Sequence, residues 1–329
     1  MLYVMLLALN PIMRHPLAHD LARLDRRSIL RIVLVWCSCS TIEAGGAPVQ
    51  VRSVVIASPD GPTCAEASAA AAVLRHDGVV VLKCEALEAH APPSDNAEAI
   101  LQGLMTRMND LGMDVDQRFS FAEICHRSPR RYDVHLGAGK SESAFSTLFN
   151  ALVKPVLALC GGEAGAGGSG ASADEGGGSP SDVRIIRDGL VTSLRGASAQ
   201  PFHADGSNHG LFNAFLPLVA VSTQGTEFWI GSHADEGAAR RLKREGSGEY
   251  VGESLLEDES VARRISAPAL KRAEGIVLFD YRVIHRGRAH DGSHAVRPVF
   301  YRVYALDDDT EEDTHNWPTR SLDDVTRRS

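Results

Sequence analysis

Two side chains restrict the folds open to this sequence. His203 and Asp205 flank Ala204 in the stretch Gln200-Pro201-Phe202-His203-Ala204-Asp205, and in an extended strand residues i and i+2 project from one face. An imidazole and a carboxylate then aim at one point, as two ligands of a metal site do. A third ligand has to come from elsewhere, so the fold must lay a distant strand beside this one. The apolar run Gly275 to Ile284 ends in His285-Arg286-Gly287, 285 − 203 = 82 residues downstream. Two histidines and a carboxylate on one face of an octahedron, with the opposite positions open, are the ligands of non-haem iron(II) oxygenases.

Arg297 follows His285 by 297 − 285 = 12 positions, in the strand-like run Arg297-Pro298-Val299-Phe300-Tyr301-Arg302-Val303-Tyr304-Ala305. A fixed, bidentate cation in a neighbouring strand suits the far carboxylate of a 2-oxo acid that chelates the metal through its other end. A single His-x-Asp arises by chance in many proteins of this length. The added histidine at a strand end and the arginine beyond it are what make a metal site the stronger reading.

These motifs resemble the phytanoyl-CoA dioxygenase family of iron(II)/2-oxoglutarate oxygenases. The resemblance is carried by His203-x-Asp205 after Gln200, by Gly231-Ser232-His233 after a strand, and by His285-Arg286-Gly287 followed by Arg297-Pro298 and alternating aromatics. It also takes in Ala69 to Leu82, similar to the helix and strand that open the family's domain, and spans residues 65 to 306 with gaps. It implies a mostly β fold with flanking helices, a double-stranded β-helix or jelly roll of cupin type. It implies Fe(II) held by His203, Asp205 and His285, with 2-oxoglutarate and O2 as co-substrates. The expected reaction hydroxylates a small organic substrate and releases succinate and CO2. Arg297 anchors the 2-oxoglutarate, with Thr226 and Tyr301 as helpers, and no catalytic side chain is expected beyond the metal ligands. Asp205 favours hydroxylation, because halogenating relatives lose this carboxylate. Gly287 stands where some relatives carry a hydroxyl residue. Two rival readings remain: a jelly-roll metal-binding protein without oxygenase activity, and a cupin-like metalloenzyme that does not use 2-oxoglutarate.

The remaining histidines and arginines have plainer readings. His209, His290 and His294 sit in polar, loop-like contexts, and His233 belongs to the Gly-Ser-His turn as a support of the fold. His126 and His135 precede the barrel and read as surface or packing residues, with a reach to the substrate cavity as the alternative. Arg127, Arg130 and Arg131 form a basic cluster, read first as a solvated face and second as a contact for an anionic substrate.

Along the chain, residues 1–48 form an extension of different character, apolar at first and then rich in arginine. A targeting segment, a poorly defined gene start and a helix lying on the domain are its open readings. Residues 49–310 are the expected oxygenase domain and 311–329 a polar tail. Within the domain, 65–76 reads as an alanine-rich helix, Gly78 to Cys84 as a strand, Ala97 to Leu111 as a helix capped by Asp95 or Ser94, and Phe145 to Leu159 as a helix with one apolar side. Residues 161–180 are dominated by Gly, Ala and Ser, with too little apolar surface to offset ordering entropy, and read as a disordered loop. Short strands separated by Gly, Asp, Ser or Pro then follow at Val183–Arg187, Val191–Leu194, the metal stretch Gln200–Asp205, Phe212–Val221, Thr226–Ile230, Gly275–Ile284 and Val299–Leu306, the pattern of a sandwich or jelly roll. The charged stretch Ala234 to Arg272 reads as helical insertions over the barrel mouth.

With 329 residues, 44% of them hydrophobic and 23% charged, the chain can bury a full core. Its net charge of −8 gives no reason to expect nucleic acid or an anionic membrane as a partner. The partner expected is a small-molecule substrate, with oligomeric state left open. Six cysteines follow no zinc or disulfide pattern and read as reduced thiols. A cytoplasmic location follows from that reading, with an organelle as the alternative if the first segment targets one. No unbroken apolar run reaches the roughly 18 residues that span a bilayer.

Overall fold

The computed structural model describes residues 48–114, 117–136, 143–161, 183–222, 225–235, 237–238, 256–292, 294–306 and 320–326. The readings of residues 1–48, of the 161–180 loop, of the 311–329 tail and of much of the Ala234–Arg272 insertion therefore fall largely outside the described residues. The strands are β1 (Ser53–Val55), β2 (Val79–Lys83), β3 (Ile124–Ser128), β4 (Arg131–His135), β5 (Arg184–Leu194), β6 (Leu211–Pro217), β7 (Thr226–Trp229), β8 (Ile265–Ser266), β9 (Gly275–Asp280), β10 (His285–Gly287) and β11 (Val296–Ala305). Eight of them form one sheet in the order β1-β2-β9-β6-β11-β5-β4-β3, and β10-β7-β8 form a second. All pairs are antiparallel except β1 with β2.

From β6 onward the chain passes back and forth between the sheets: β6 lies in the large one, β7 and β8 in the small one, β9 in the large, β10 in the small and β11 in the large. This winding is the jelly roll, or double-stranded β-helix. It closes a β layer on itself, so that alternate side chains of each strand point into a shared interior.

Helices cover the outer face of the large sheet. Helix α1 (Cys64–Asp77) starts at a capping box, with the Thr63 hydroxyl accepting from the Glu66 amide and the Glu66 carboxylate accepting from the Thr63 amide. It stops at Gly78, whose φ of 75° is the left-handed conformation that glycine adopts without strain. Short α2 (Ala86–His90) and long α3 (Ser94–Asp110) follow, and α4 (Ala144–Gly161) carries Phe149, Leu152, Val153, Val156 and Leu157 into the core. Phe149 and Phe300 meet edge to face at 5.4 Å, and burying each large apolar side chain of this kind stabilises the fold by about 1.5–3 kcal/mol. Arg302, on the same outer face of β11, pairs with Asp188 at 2.6 Å and reaches Asn150 and Ser146 of α4, tying helix to sheet. Every residue of β2 but the last is fully buried, because Val80 and Leu82 face this helical core and Val79 and Val81 the barrel interior.

Several expectations are corrected. Gly275 to Ile284 is not one strand: β9 ends at Asp280, whose carboxylate accepts from the Arg282 amide and guanidinium in a turn that carries the chain into the other sheet. Val183–Arg187 and Val191–Leu194 are one strand of 11 residues, β5. Helix α3 begins at Ser94 with Pro93 as its N-cap and no side-chain cap, rather than with Asp95 or Ser94 as cap. α4 is 18 residues long and, by length and composition, apolar enough to cross a membrane. Counting unbroken apolar runs misses it because Lys154 and Pro155 interrupt it; here its apolar face is packed into the core. The four cysteines that are described, Cys64, Cys84, Cys125 and Cys160, carry free thiols.

Candidate metal centre

His203 does not lie in a regular strand; it forms a single bridge to His285. The flanking backbone is nonetheless extended along β10, with the Gln200 amide donating to Gly287 O at 2.9 Å and the Asp205 amide to Tyr281 O at 3.2 Å. This places the 200–205 segment against the small sheet, and its two side chains face the same point.

The three side chains meet there. One donor atom each from His203, Asp205 and His285 lies within 4.8 Å of the others. His285 Nε2 is 3.6 Å from Asp205 Oδ2, and His203 Nε2 is 3.9 Å from Asp205 Oδ1. Each ring uses its other nitrogen on a carbonyl two residues back: His203 Nδ1 on Pro201 O and His285 Nδ1 on Val283 O, both at 2.9 Å. A carbonyl only accepts, so Nδ1 of each ring donates, and Nε2 is the nitrogen that faces the carboxylate. Burial in the cavity wall and the neighbouring His285 ring pull His203 down to about 4, which keeps it neutral near pH 7. Two imidazoles and a carboxylate, with rings oriented by backbone carbonyls, fit a divalent first-row metal ion.

Around His285 the wall is apolar. The ring lies 5.0 Å from that of Phe279 and 5.9 Å from that of Phe228. Asp205 is held from the large sheet, where Asn213 Nδ2 donates to its Oδ2 at 2.6 Å. Asn213 is 3% exposed.

The site opens on a cavity of ≈ 160 Å³ lined by the three donors and by Gln200, Asn213, Thr226 and Arg297, among others. Arg297 is buried in β11, and its guanidinium donates to Arg288 O at 2.8 Å and Ala289 O at 3.1 Å. Thr226 lies opposite Gly287 in the β7–β10 pair. Tyr301 lines the cavity too, but its hydroxyl donates to Asp133 Oδ1 at 2.9 Å. It can take that path because β5 has Gly189 beneath it: a Cβ there would stand 2.5 Å from the tyrosine ring.

The basic cluster divides. Arg130 is exposed, with φ of 61°, and donates to Arg195 O. Arg127 and Arg131 line the cavity, so the solvated-face reading is corrected for both. Arg127 pairs with Asp133 at 2.6 Å, and Arg131 is fully buried. The other histidines stay off the metal point. His126 stacks against Phe119 and Tyr132, His135 donates from Nδ1 to Ala122 O at 2.8 Å beside Asp133, and His233 packs on Gly78 and reaches Arg75 O. His209 meets Arg282, while His290 and His294 line a separate cavity of ≈ 290 Å³ on Arg297.

Asn213, Asp133 and Ser193 are polar cavity residues that the sequence reading did not single out, whereas Arg131 belongs to the basic cluster. Arg131-Tyr132-Asp133-Val134-His135 does alternate polar with apolar, which signals a strand with Arg131, Asp133 and His135 on one face.

No family model matches the sequence, and no curated protein matches it. Solved structures do. AviO1 from Streptomyces viridochromogenes is 18% identical over 74% of this chain and 96% of its own, with a TM-score of 0.44. SnoK, a non-haem alpha-ketoglutarate-dependent carbocyclase from nogalamycin biosynthesis, is 15% identical over 79% of this chain and 89% of its own, with a TM-score of 0.43. EctD from S. alaskensis in its apoform is 16% identical over 84% of this chain and 91% of its own, also at 0.43.

Proposed function

We propose that this chain is an Fe(II)- and 2-oxoglutarate-dependent dioxygenase of the phytanoyl-CoA dioxygenase type, hydroxylating a small organic substrate with release of succinate and CO2. The observation that carries the reading is the convergence of His203, Asp205 and His285 on the wall of a cavity that Arg297 also lines. Bound iron(II) with 2-oxoglutarate supplies the oxidising chemistry, in which O2 is reduced and the 2-oxo acid is decarboxylated.

The chain's own part is positioning. His203 and His285 would hold the metal through Nε2, and Asp205 through a carboxylate oxygen, while Asn213 holds the other end of that carboxylate. Arg297 would pair with the far carboxylate of 2-oxoglutarate, its guanidinium aimed by the carbonyls of Arg288 and Ala289. Phe215 and Tyr281 give the cavity apolar wall that excludes water. Thr226 lines the same cavity and would add a hydroxyl.

Anaerobic titration with iron(II) and 2-oxoglutarate, followed by the weak visible charge-transfer band of the chelate, tests this. The band is expected in the wild-type chain and lost in Arg297→Ala. Iron binding without any band rejects the oxygenase reading and leaves a metal-binding jelly roll.

A further inference from the structure

Three side chains share one rung of the large sheet. Arg131 of β4 and Arg297 of β11 both lie opposite Ser193 of β5, one on each side. All three line the cavity. The Ser193 hydroxyl oxygen accepts from Arg131 Nε at 2.9 Å and from Arg297 at 3.4 Å, so its own proton remains to be donated. Both guanidiniums also donate to one carbonyl, Arg288 O, at 2.7 and 2.8 Å.

Arg131 differs from the arginines of the fold that are paired with a carboxylate. Arg302 is paired with Asp188, Arg286 with Glu227 and Arg127 with Asp133. Arg131, at 1% exposure, has only neutral oxygens around it: Ser193 Oγ and the carbonyls of Ser198, Arg288 and Gly287, the last at 3.4 Å. Among the described residues no carboxylate pairs with it. Burial and the charge of Arg297 together pull it down to about 10, well short of neutralising it at any ordinary pH. A buried cation without a counter-charge is costly, and a second cation beside it adds to the cost. A bound anion would relieve both. Gly287 lets the backbone pack closely here, since a Cβ would stand 2.6 Å from Gln200 Oε1 and 3.2 Å from the Arg131 guanidinium carbon.

We propose that Arg131 is a second anchor for the dicarboxylate co-substrate, so that the far carboxylate is gripped across Ser193 by an arginine from each neighbouring strand. The inference rests on the 2-oxoglutarate reading of the cavity and extends it to Arg131 of the basic cluster, on β4, and to Ser193 of β5. Arg131 touches none of the three metal donors, so its role separates from metal binding.

The test uses the full chain loaded with Mn(II), with 2-oxoglutarate affinity read by calorimetry and Mn(II) affinity measured alongside. Arg131→Gln should weaken 2-oxoglutarate binding by about ten- to a hundredfold, the worth of a hydrogen bond to a charged partner, with Mn(II) affinity unchanged. Arg131→Lys should recover part of the loss, and Ser193→Ala should weaken binding about tenfold or less. These two carry the test if the glutamine variant fails to fold. Wild-type affinity in Arg131→Gln, or in both Arg131→Lys and Ser193→Ala, overturns the inference. If Arg297→Gln has meanwhile lost 2-oxoglutarate, the oxygenase reading stands without Arg131 as an anchor. If the wild-type chain binds Mn(II) but no 2-oxoglutarate, the reading of the cavity falls and the second anchor falls with it.

Discussion

His203 and His285 exchange both of their backbone hydrogen bonds, at 2.9 and 2.8 Å. The two imidazoles are thus fixed on one rung between the 200–205 segment and β10, with ring centroids 4.6 Å apart. Their separation of 285 − 203 = 82 positions in the chain does not loosen that pairing. Replacing either ring by alanine leaves the rung intact and removes one donor.

The two substitutions should differ in stability. His285 is 4% exposed and packed among Phe215, Phe228 and Phe279, so His285→Ala opens a hole and should cost on the order of 2 kcal/mol. His203 is only half-buried, and His203→Ala should cost under about 1 kcal/mol. Both should lose iron(II) binding. Denaturant unfolding together with metal titration checks this, and iron bound at full stoichiometry in either variant would reject the ligand assignment.

Asn213→Ala removes the donor that holds Asp205 from the large sheet. Metal affinity should fall by about ten- to a hundredfold, as for other partners of metal-ligating carboxylates, with the fold retained. Competition against a chelator gives the number. An unchanged affinity would mean that Asp205 is held well enough by its own backbone bond to Tyr281 O.

Asp133 predicts a pH dependence. Burial pushes its carboxyl up, but His135 and the Arg127 guanidinium outweigh that and hold it below the ordinary carboxylate value. A depressed folded-state pKa contributes stability above the unfolded value, near 3.9, and that contribution is lost as pH falls through the folded value. Asp133→Asn should therefore be destabilised by about 3 kcal/mol near neutrality, the low end for a broken buried pair because Arg127 keeps some solvent contact. The gap to wild type should narrow as the pH drops below about 4. Thermal melts of both proteins from pH 3 to 7 decide it; a gap independent of pH would show that Asp133 acts by shape and not by charge.

Gly189→Ala puts a methyl group 2.5 Å from the Tyr301 ring, so the ring must move and its bond to Asp133 is strained or broken. The expected cost is about 1–3 kcal/mol. Tyr301→Phe, which leaves Asp133 Oδ1 without that donor, should cost a similar amount, and the double variant should cost less than the sum because both act through one contact. Full additivity in denaturant melts would show that the glycine is needed for another reason.

Much of the centre could be read along the chain. His203-x-Asp205, His285 at the end of an apolar run and Arg297 beyond it are local patterns, and metal chemistry dictates which residue types they contain. The helices with a capping signal at Thr63 and Glu66 and a stop at Gly78, and the alternation of strands after residue 183, follow from backbone and burial rules that act within a few residues. Period-two alternation likewise marks Arg131, Asp133 and His135 as one face of a strand, yet alternation does not say whether the polar face meets water. Only the closure of two sheets decides that: it turns that face inward, sets Arg131 and Arg297 either side of Ser193, and brings Asn213 of β6 under Asp205. The turn at Asp280, which sends His285 to the sheet opposite the strand that precedes it, is decided the same way. Such pairings join residues 8 to 168 positions apart, and their energy comes from which surfaces are excluded from water together, a property that no local stretch of chain carries.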